Sequence, residues 1–483
     1  MPYTQQMVQS LILLLSLFSV LAFSHPGSNG HKHPARLQPK FDVKKTTAGT
    51  ETVFLGAQPA AAAKYDWYTS DMHIHATGCR TETSPSSTTA FIKENLKNAS
   101  TNVGDILIWG DQKSYILDAP NFRGTQDDPL SDATQILHWD LEISQLPGST
   151  LGHQTLLNLS DLNLFKSKTS QPSYPNYPGK NYLLPNYAWG HAQGALVGYP
   201  HAEDWDKTVY DPNQITSDIA PRALPWDIVS ERVDFLATEY INHPNHLWLW
   251  YSMLNAGFHI APAAGSDYPC FEGKIGRVQT SFPLAKGSKL TFQSYIDAIR
   301  GGRTVVKENP AEITVAPDGS LTTTYFDMRV AGQPLGSEVT LSGDSGTVKV
   351  EVDAAGTKGN KIGLVKNGEI VATADISPGI KTYTFHVAFE KSGWLAALTV
   401  DAHTAATFVL VNGCDIRLDP AAARKWANYV SLLPDFGDTA NPFGTDQGVA
   451  IASIARAAGI WRQIASEGEA RTCIPRSRNR FAR

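Results

Sequence analysis

Asp71-Met72-His73-Ile74-His75 is the stretch on which the reading of this chain turns. Side chains of a strand alternate between two faces, so His73 and His75 point the same way. Two imidazoles at that spacing can grip one metal ion. Three later places answer this pair: Leu141-Glu142 followed by Gly152-His153, then Gly198-Tyr199-Pro200-His201, then Gly265-Ser266-Asp267. Each ends an apolar run with a residue able to ligate a metal. Imidazole with carboxylate is the donor set of hydrolytic transition-metal sites.

Working outward, Trp67 to about Arg303 alternates short apolar runs with helical stretches. Thr88 to Leu96 reads as a helix capped by Ser86 or Ser87. Val103 to Trp109 and Ala195 to Tyr199 read as buried strands, and Trp248 to Ala256 as a helix closed by Gly257. Alternating strand and helix predicts an α/β domain, a mostly parallel sheet or barrel, with its site at the strand C-terminal ends. Phe165 to Trp189, rich in proline and tyrosine, is a long insertion. It is either a wall of the substrate cleft or a surface loop packed by its own aromatics.

From about Ala311 the pattern changes to short alternating strands at 322–330, 347–352, 361–365, 382–387, 394–400 and 406–411, parted by turn signals such as Asn367-Gly368 and Pro378-Gly379. That is the signature of an antiparallel β-sandwich. After Asp419, 421–432 and 447–467 read as helices. The expected division is a signal peptide over 1–24, a tether with edge strands over 25–63, and a metal-binding domain over 64–305. A β-sandwich over 306–413 and a helical segment with a basic tail over 414–483 follow.

At 483 residues the chain exceeds one ordinary core, and 42% hydrophobic with 18% charged residues is globular. The net charge of −5, with lysine and arginine dispersed except from Arg471 to Arg483, predicts no nucleic-acid partner. Leu11 to Phe23 is an apolar run suited to a secretory signal and too short to span a bilayer, with Ala22 and Ser24 placed for cleavage before His25. A membrane anchor is the alternative. The expected location is secreted, or periplasmic in a bacterium, with no stable membrane insertion after cleavage. Four cysteines in such a chain predict two disulfides, Cys79–Cys270 and Cys414–Cys473. Asn98-Ala99-Ser100 and Asn158-Leu159-Ser160 are glycosylation sequons in a eukaryotic host.

The ordered motifs resemble those of the PHP (polymerase and histidinol phosphatase) superfamily, whose fold is a distorted β/α barrel. Longer strings resemble its carbaryl-hydrolase (CehA/McbA-like) branch: Ser70-Asp71-Met72-His73-Ile74-His75, Trp250-Tyr251-Ser252-Met253-Leu254-Asn255-Ala256-Gly257-Phe258, Pro262-Ala263-Ala264-Gly265-Ser266-Asp267 and Gly276-Arg277-Val278-Gln279-Thr280. Val365-Lys366-Asn367-Gly368-Glu369 and Ser392-Gly393-Trp394-Leu395-Ala396-Ala397 continue the likeness. The resemblance implies that His73, His75, Glu142 and Asp267 hold one divalent ion, and that Glu142, His153 and His201 hold a second, with Glu142 bridging. Zinc, manganese and iron all suit these donors. Gln112 and Pro269 stand at the positions of a third site, and neither suits it.

The implied chemistry is hydrolysis of an ester, carbamate or amide bond of a small-molecule substrate by a metal-activated hydroxide, with Glu142 and Asp267 at its centre. A divalent metal lowers the pKa of bound water to about 7, against roughly 15.7 in bulk. His191 lines the cleft and takes a catalytic part, or is a hydrogen-bonded polar residue. Asp71 shares a face with both histidines and is expected to accept from an imidazole. Asp111, Asp140 and Glu239 are further candidates without a role. Arg277 binds an anionic substrate or forms a structural contact. A PHP-type phosphoesterase and a non-catalytic metal-containing binding protein are the alternatives. A phosphate site favours a cluster of arginines, and only Arg80 and Arg277 lie near the motifs.

Overall fold

Val103-Gly104-Asp105-Ile106-Leu107-Ile108-Trp109 closes on four consecutive large apolar residues, and it forms a strand buried at every position. The computed structural model describes residues 53–55, 64–77, 87–110, 115–144, 151–162, 183–217, 219–271, 274–309, 322–435, 443, 446–470 and 473. The signal peptide, most of the tether, Asp111, Gln112, Cys79, Arg80, most of the 165–189 insertion and the basic tail fall outside them.

In chain order the elements are β1 (Val53–Leu55), β2 (Tyr65–Ile74), α1 (Thr89–Asn98), β3 (Val103–Trp109), α2 (Tyr115–Asp118), β4 (Ile136–Ile143), β5 (Gln154–Leu157), α3 (Leu184–Ala192), β6 (Leu196–Gly198), α4 (Leu224–Ser230), β7 (Phe235–Thr238), α5 (Pro244–Asn255), β8 (Ala261–Ala264), β9 (Val278–Ala285), α6 (Phe292–Arg300) and β10 (Val305–Glu308). Then follow β11 (Thr323–Val330), β12 (Glu338–Leu341), β13 (Gly346–Gly356), β14 (Lys361–Lys366), β15 (Glu369–Asp375), β16 (Lys381–Phe389), β17 (Gly393–Leu398), β18 (Ala402–Thr404), β19 (Thr407–Val411), α7 (Pro420–Leu432) and α8 (Gln447–Ala470).

Local chemistry sets the ends. The cap of α1 is Thr88 rather than a serine, because its hydroxyl accepts the Phe91 N–H. The α5 helix starts four residues before the predicted Trp248, since Pro244 sits at its first position, where a missing N–H costs nothing. Gly257 closes it at φ 94, with its N–H donating to the Leu254 carbonyl at 2.9 Å.

The result is a mixed α/β fold. β2, β3 and β4 run parallel, β9 lies antiparallel beside β2, and β5 and β6 continue the sheet antiparallel beyond β4. β7 and β8 pair in parallel. Bridges from Tyr199 to Leu236 and from Ile74 to Tyr268 carry the pairing from β6 to β7, and from the segment after β8 back to β2.

The boundary expected at residue 306 is not a break in the sheet. β10 pairs with β9 on one side and β18 on the other, so the later strands extend the same sheet. A separate antiparallel sheet, ordered β1-β16-β13-β11, shares a core of Val350, Val352, Phe385, Leu364, Leu395 and Val409 with them. β12 joins β19 in parallel, a departure from the antiparallel expectation. The two last helices bury Trp426 and Trp461 in the same core as Trp205 and Trp226.

Cys414 and Cys473 form the expected disulfide, closing a separation of 59 residues. Cys270 is also disulfide-bonded. Asn158 is corrected as a glycosylation site, because its side chain is buried and its amide donates to Gln293 Oε1 at 3.2 Å. Among the described residues no helix is long and apolar enough to cross a membrane.

Candidate metal centre

Parallel β2 and β4 bring Glu142, the last residue but one of β4, to the same sheet edge as His73 and the end of β2. β5 runs antiparallel to β4, pairing Thr155 with Glu142. His153 therefore reaches this edge by preceding a strand, not by ending one. His201 and Asp267 each stand three residues past their strands, β6 and β8. Both sit in the left-handed region, at φ 57 and φ 48. That conformation is uncommon for non-glycine residues and clusters at functional sites. Gly265 lets β8 approach β2: a Cβ there would lie 2.6 Å from His73 Cβ and 2.7 Å from His73 N. Gly265→Ala is therefore expected to destabilise by roughly 1–3 kcal/mol and to weaken metal binding. Urea unfolding with metal analysis checks this, and unchanged affinity would show that the two strands can part freely.

Four donors converge. His73 Nε2 and His75 Nε2 are 3.1 Å apart. Glu142 Oε2 lies 3.3 Å from the first and 3.1 Å from the second. Asp267 Oδ1 lies 3.2 and 3.3 Å from the same two atoms. A tetrahedron with metal–ligand distances of about 2.0–2.1 Å has edges of roughly 3.3–3.4 Å, so these separations fit one cation. Asp267 Oδ1 is buried and completes no hydrogen bond, which again fits a cation as its partner. The other oxygen, Glu142 Oε1, lies 2.8 Å from His153 Nδ1 and 3.5 Å from His201 Nε2, and those two nitrogens are 3.1 Å apart. The donor sets His73–Glu142–His201 and His73–His75–Asp267 are each close enough to hold a metal.

The surroundings fix the imidazoles. The Leu107 carbonyl, 2.9 Å from His75 Nδ1, can only accept, so Nδ1 carries the proton and Nε2 offers its lone pair. His75 stacks on Trp109 with ring centroids 3.7 Å apart. The ionisation pattern is that of a crowded, dry site. Burial pulls the His73 imidazole down, but the Asp267 and Glu142 carboxylates outweigh it and raise it to about 10. Burial likewise pushes Glu142 up, yet His73 and His153 hold it well below the usual carboxylate range. Among the described residues no lysine or arginine pairs with Glu142, Glu239 or Asp267.

His191 is not part of this group. Its Nε2 is 2.8 Å from Asp234 Oδ2, and Asp234 precedes β7, whereas Glu239 follows it. Five residues of strand separate those ends by roughly 16 Å, so the expected place in the cleft is corrected to a hydrogen-bonded polar residue. Asp71 is also corrected. It accepts backbone N–H groups of His73, Ser266 and Gly276 at 3.2, 2.8 and 2.7 Å, and ties β2 to the loop after β8 instead of orienting a ring. Asp140 accepts from Asn158 N and Leu159 N. Arg277 donates to the Glu239 carbonyl at 2.7 Å and covers the Tyr240 ring, a structural contact. Pro269 has no donor for a third metal. The residue without an expected role that does reach the site is Glu239. Its Oε1 is 3.2 Å from His201 Nδ1 and 3.7 Å from His73 Nδ1. Its position one residue past β7 is the signal it shares with the donors that follow their strands.

No protein-family model and no curated protein matches the chain. Chains of solved structures do, among them two endonucleases. One is the lesion-specific endonuclease PfuEndoQ from Pyrococcus furiosus, at 16% identity and TM-score 0.33, covering 49% of this chain and 56% of that one. The other is Endonuclease Q in complex with a 27-mer duplex substrate, at 17% identity and TM-score 0.33, covering 49% of this chain and 57% of that one. Each match thus spans little more than half of the matched protein, and at these scores neither fixes an activity here. One expectation is nevertheless withdrawn. A small-molecule substrate with nucleic acid excluded does not stand beside a match whose active site holds an abasic lesion in duplex DNA.

Proposed function

We propose that this chain is a metal-dependent hydrolase of an ester, carbamate or amide bond, built on the PHP-type barrel that its motifs resemble. His73, His75, Glu142, His153, His201 and Asp267 hold two divalent cations, zinc, manganese or iron. The observation that carries this reading is the division of Glu142, with Oε2 among one set of donors and Oε1 among another. Cations there would lower the pKa of a coordinated water to about 7 and polarise the oxygen of the scissile group. The chain itself supplies the spacing, the tautomer of His75 through Leu107, and exclusion of bulk water, since none of the six side chains is more than 10% exposed. Charge supports this bond class, on the arginine that the structure describes near the motifs. A phosphoryl group is favoured by converging arginines, and Arg277 is spent on Glu239 and Tyr240. The Cys414–Cys473 disulfide supports an oxidising compartment, consistent with export.

The test compares chelator-stripped protein with protein reloaded with zinc, manganese or iron. Its arms are aryl esters, carbamates, amides, phosphoesters and duplex DNA with an abasic site. The expected result is about two ions per chain and hydrolysis of a carbonyl-centred bond, lost on chelation and restored by metal. Full activity without metal, or none in any arm when loaded, ends this reading. Cleavage confined to phosphoesters or DNA moves the bond class and leaves the metal centre standing.

A further inference from the structure

The backbone of Glu239 is held at both polar groups. Its N–H donates to Glu203 Oε1 at 2.8 Å, and its carbonyl accepts from Arg277 Nη2 at 2.7 Å. The side chain so placed is 1% exposed and stands between the two donor sets. Its Oε1 faces His73 Nδ1 and His201 Nδ1, the nitrogens on the far side of each ring from the converging donors. Neither carboxylate oxygen, nor His201 Nδ1, completes a well-aligned hydrogen bond. A buried carboxylate left in that state is costly, and the Glu203 carboxyl beside it is held well above the usual carboxylate range by burial and by the Glu239 charge.

We propose that Glu239 is a positioning residue shared by the two metal sites: it accepts the Nδ1–H of both His73 and His201, so that each ring presents Nε2 to its own cation, and it thereby links the occupancy of one site to that of the other. The proposal rests on the metal-dependent reading above. His201, once coordinated through Nε2, is a stronger Nδ1–H donor and orders the carboxylate; His73 then meets an acceptor already in place. The same argument runs from His73 to His201, and for binding free energies such a coupling is reciprocal. One carboxylate serving two imidazoles of different sites also explains why the backbone on either side of it is pinned.

The experiment is a Zn²⁺ titration of the full chain against a chromophoric chelator, for wild type, Glu239→Gln and Glu239→Ala, with ¹⁵N-histidine spectra of the zinc-loaded proteins. Removing such an outer partner weakens a metal by about 10–100-fold, and that loss is expected at both sites of Glu239→Gln. Glu239→Ala, which leaves no acceptor, is expected to lose more. Two hydrogen-bonded ring N–H signals of the wild type should shift together in Glu239→Gln, a change that a purely structural role would not produce. Weakening at one site only, equal loss in the two variants, or unmoved ring signals overturns the proposal. A wild type that takes up no zinc removes the metal-dependent reading and this proposal with it, whereas a wild type with two ions and an indifferent Glu239→Gln removes this proposal alone.

Discussion

Glu142→Gln is expected to lower kcat/KM by roughly 10³-fold or more, the loss that follows when a buried electrostatic contact to the reacting centre is removed together with a metal. Glu142 is fully buried, and each of its oxygens lies within 3.5 Å of two imidazole nitrogens. A carboxamide keeps one acceptor oxygen and turns the other position into a donor. Whichever way it is placed, one set of donors then faces an N–H where a lone pair is required, and the site loses a negative charge that two cations need. The measurement is metal content beside steady-state rates on the best substrate of the panel. His191→Gln serves as the control, since its partner is Asp234 at the far end of β7, and it should keep both ions. A Glu142→Gln protein with two ions and unreduced activity would show that the carboxylate does not bridge.

Much of this site is legible in the sequence because strands carry a period of two and end where polar residues begin. His73 and His75 share a face for that reason, and His201 and Asp267 follow apolar runs by a fixed short reach. What the sequence hides are facts of direction and pairing. His153 lies ahead of its strand, and only the antiparallel course of β5 brings it to Glu142. His191 has the right neighbours in sequence, but its ring meets Asp234 instead. Asp71 points toward the metal face in a strand diagram, yet three backbone N–H groups claim it. The break expected at residue 306 fails for a related reason. The change from helical to alternating pattern is real, but β10 and β18 hydrogen-bond across it, pairing Val305 with Thr404, and pairing at so long a sequence separation leaves no local trace.

His246→Phe is expected to change how stability responds to acid. The ring of His246 is 1% exposed, lies parallel to Trp250 at 6° with centroids 6.0 Å apart, and neither nitrogen has a hydrogen-bond partner. Burial, helped by the nearby imidazoles of His403 and His243 and opposed by Glu239, pushes it down to about 3. The sign follows from the two states. The unfolded chain takes up a proton on this side chain near its ordinary value of 6.5, whereas the folded protein resists until about pH 3. The unfolded state therefore binds more protons below pH 6.5, and stability falls as pH falls. At 1.36 kcal/mol per pH unit, the loss between pH 7 and pH 5 is about 2 kcal/mol from this residue. Phenylalanine keeps the stacked, apolar contact and cannot take the proton. At pH 7 it gives up no hydrogen bond, so the variant should be no less stable there. Urea unfolding of both proteins at pH 7 and pH 5, each stripped of metal so that ion loss does not enter, isolates the difference. The stability of the variant relative to wild type should rise by about 2 kcal/mol on acidification. Parallel pH dependences would mean that the folded protein already accommodates the imidazolium, and that α5 is looser around His246 than its packing against Trp250 implies.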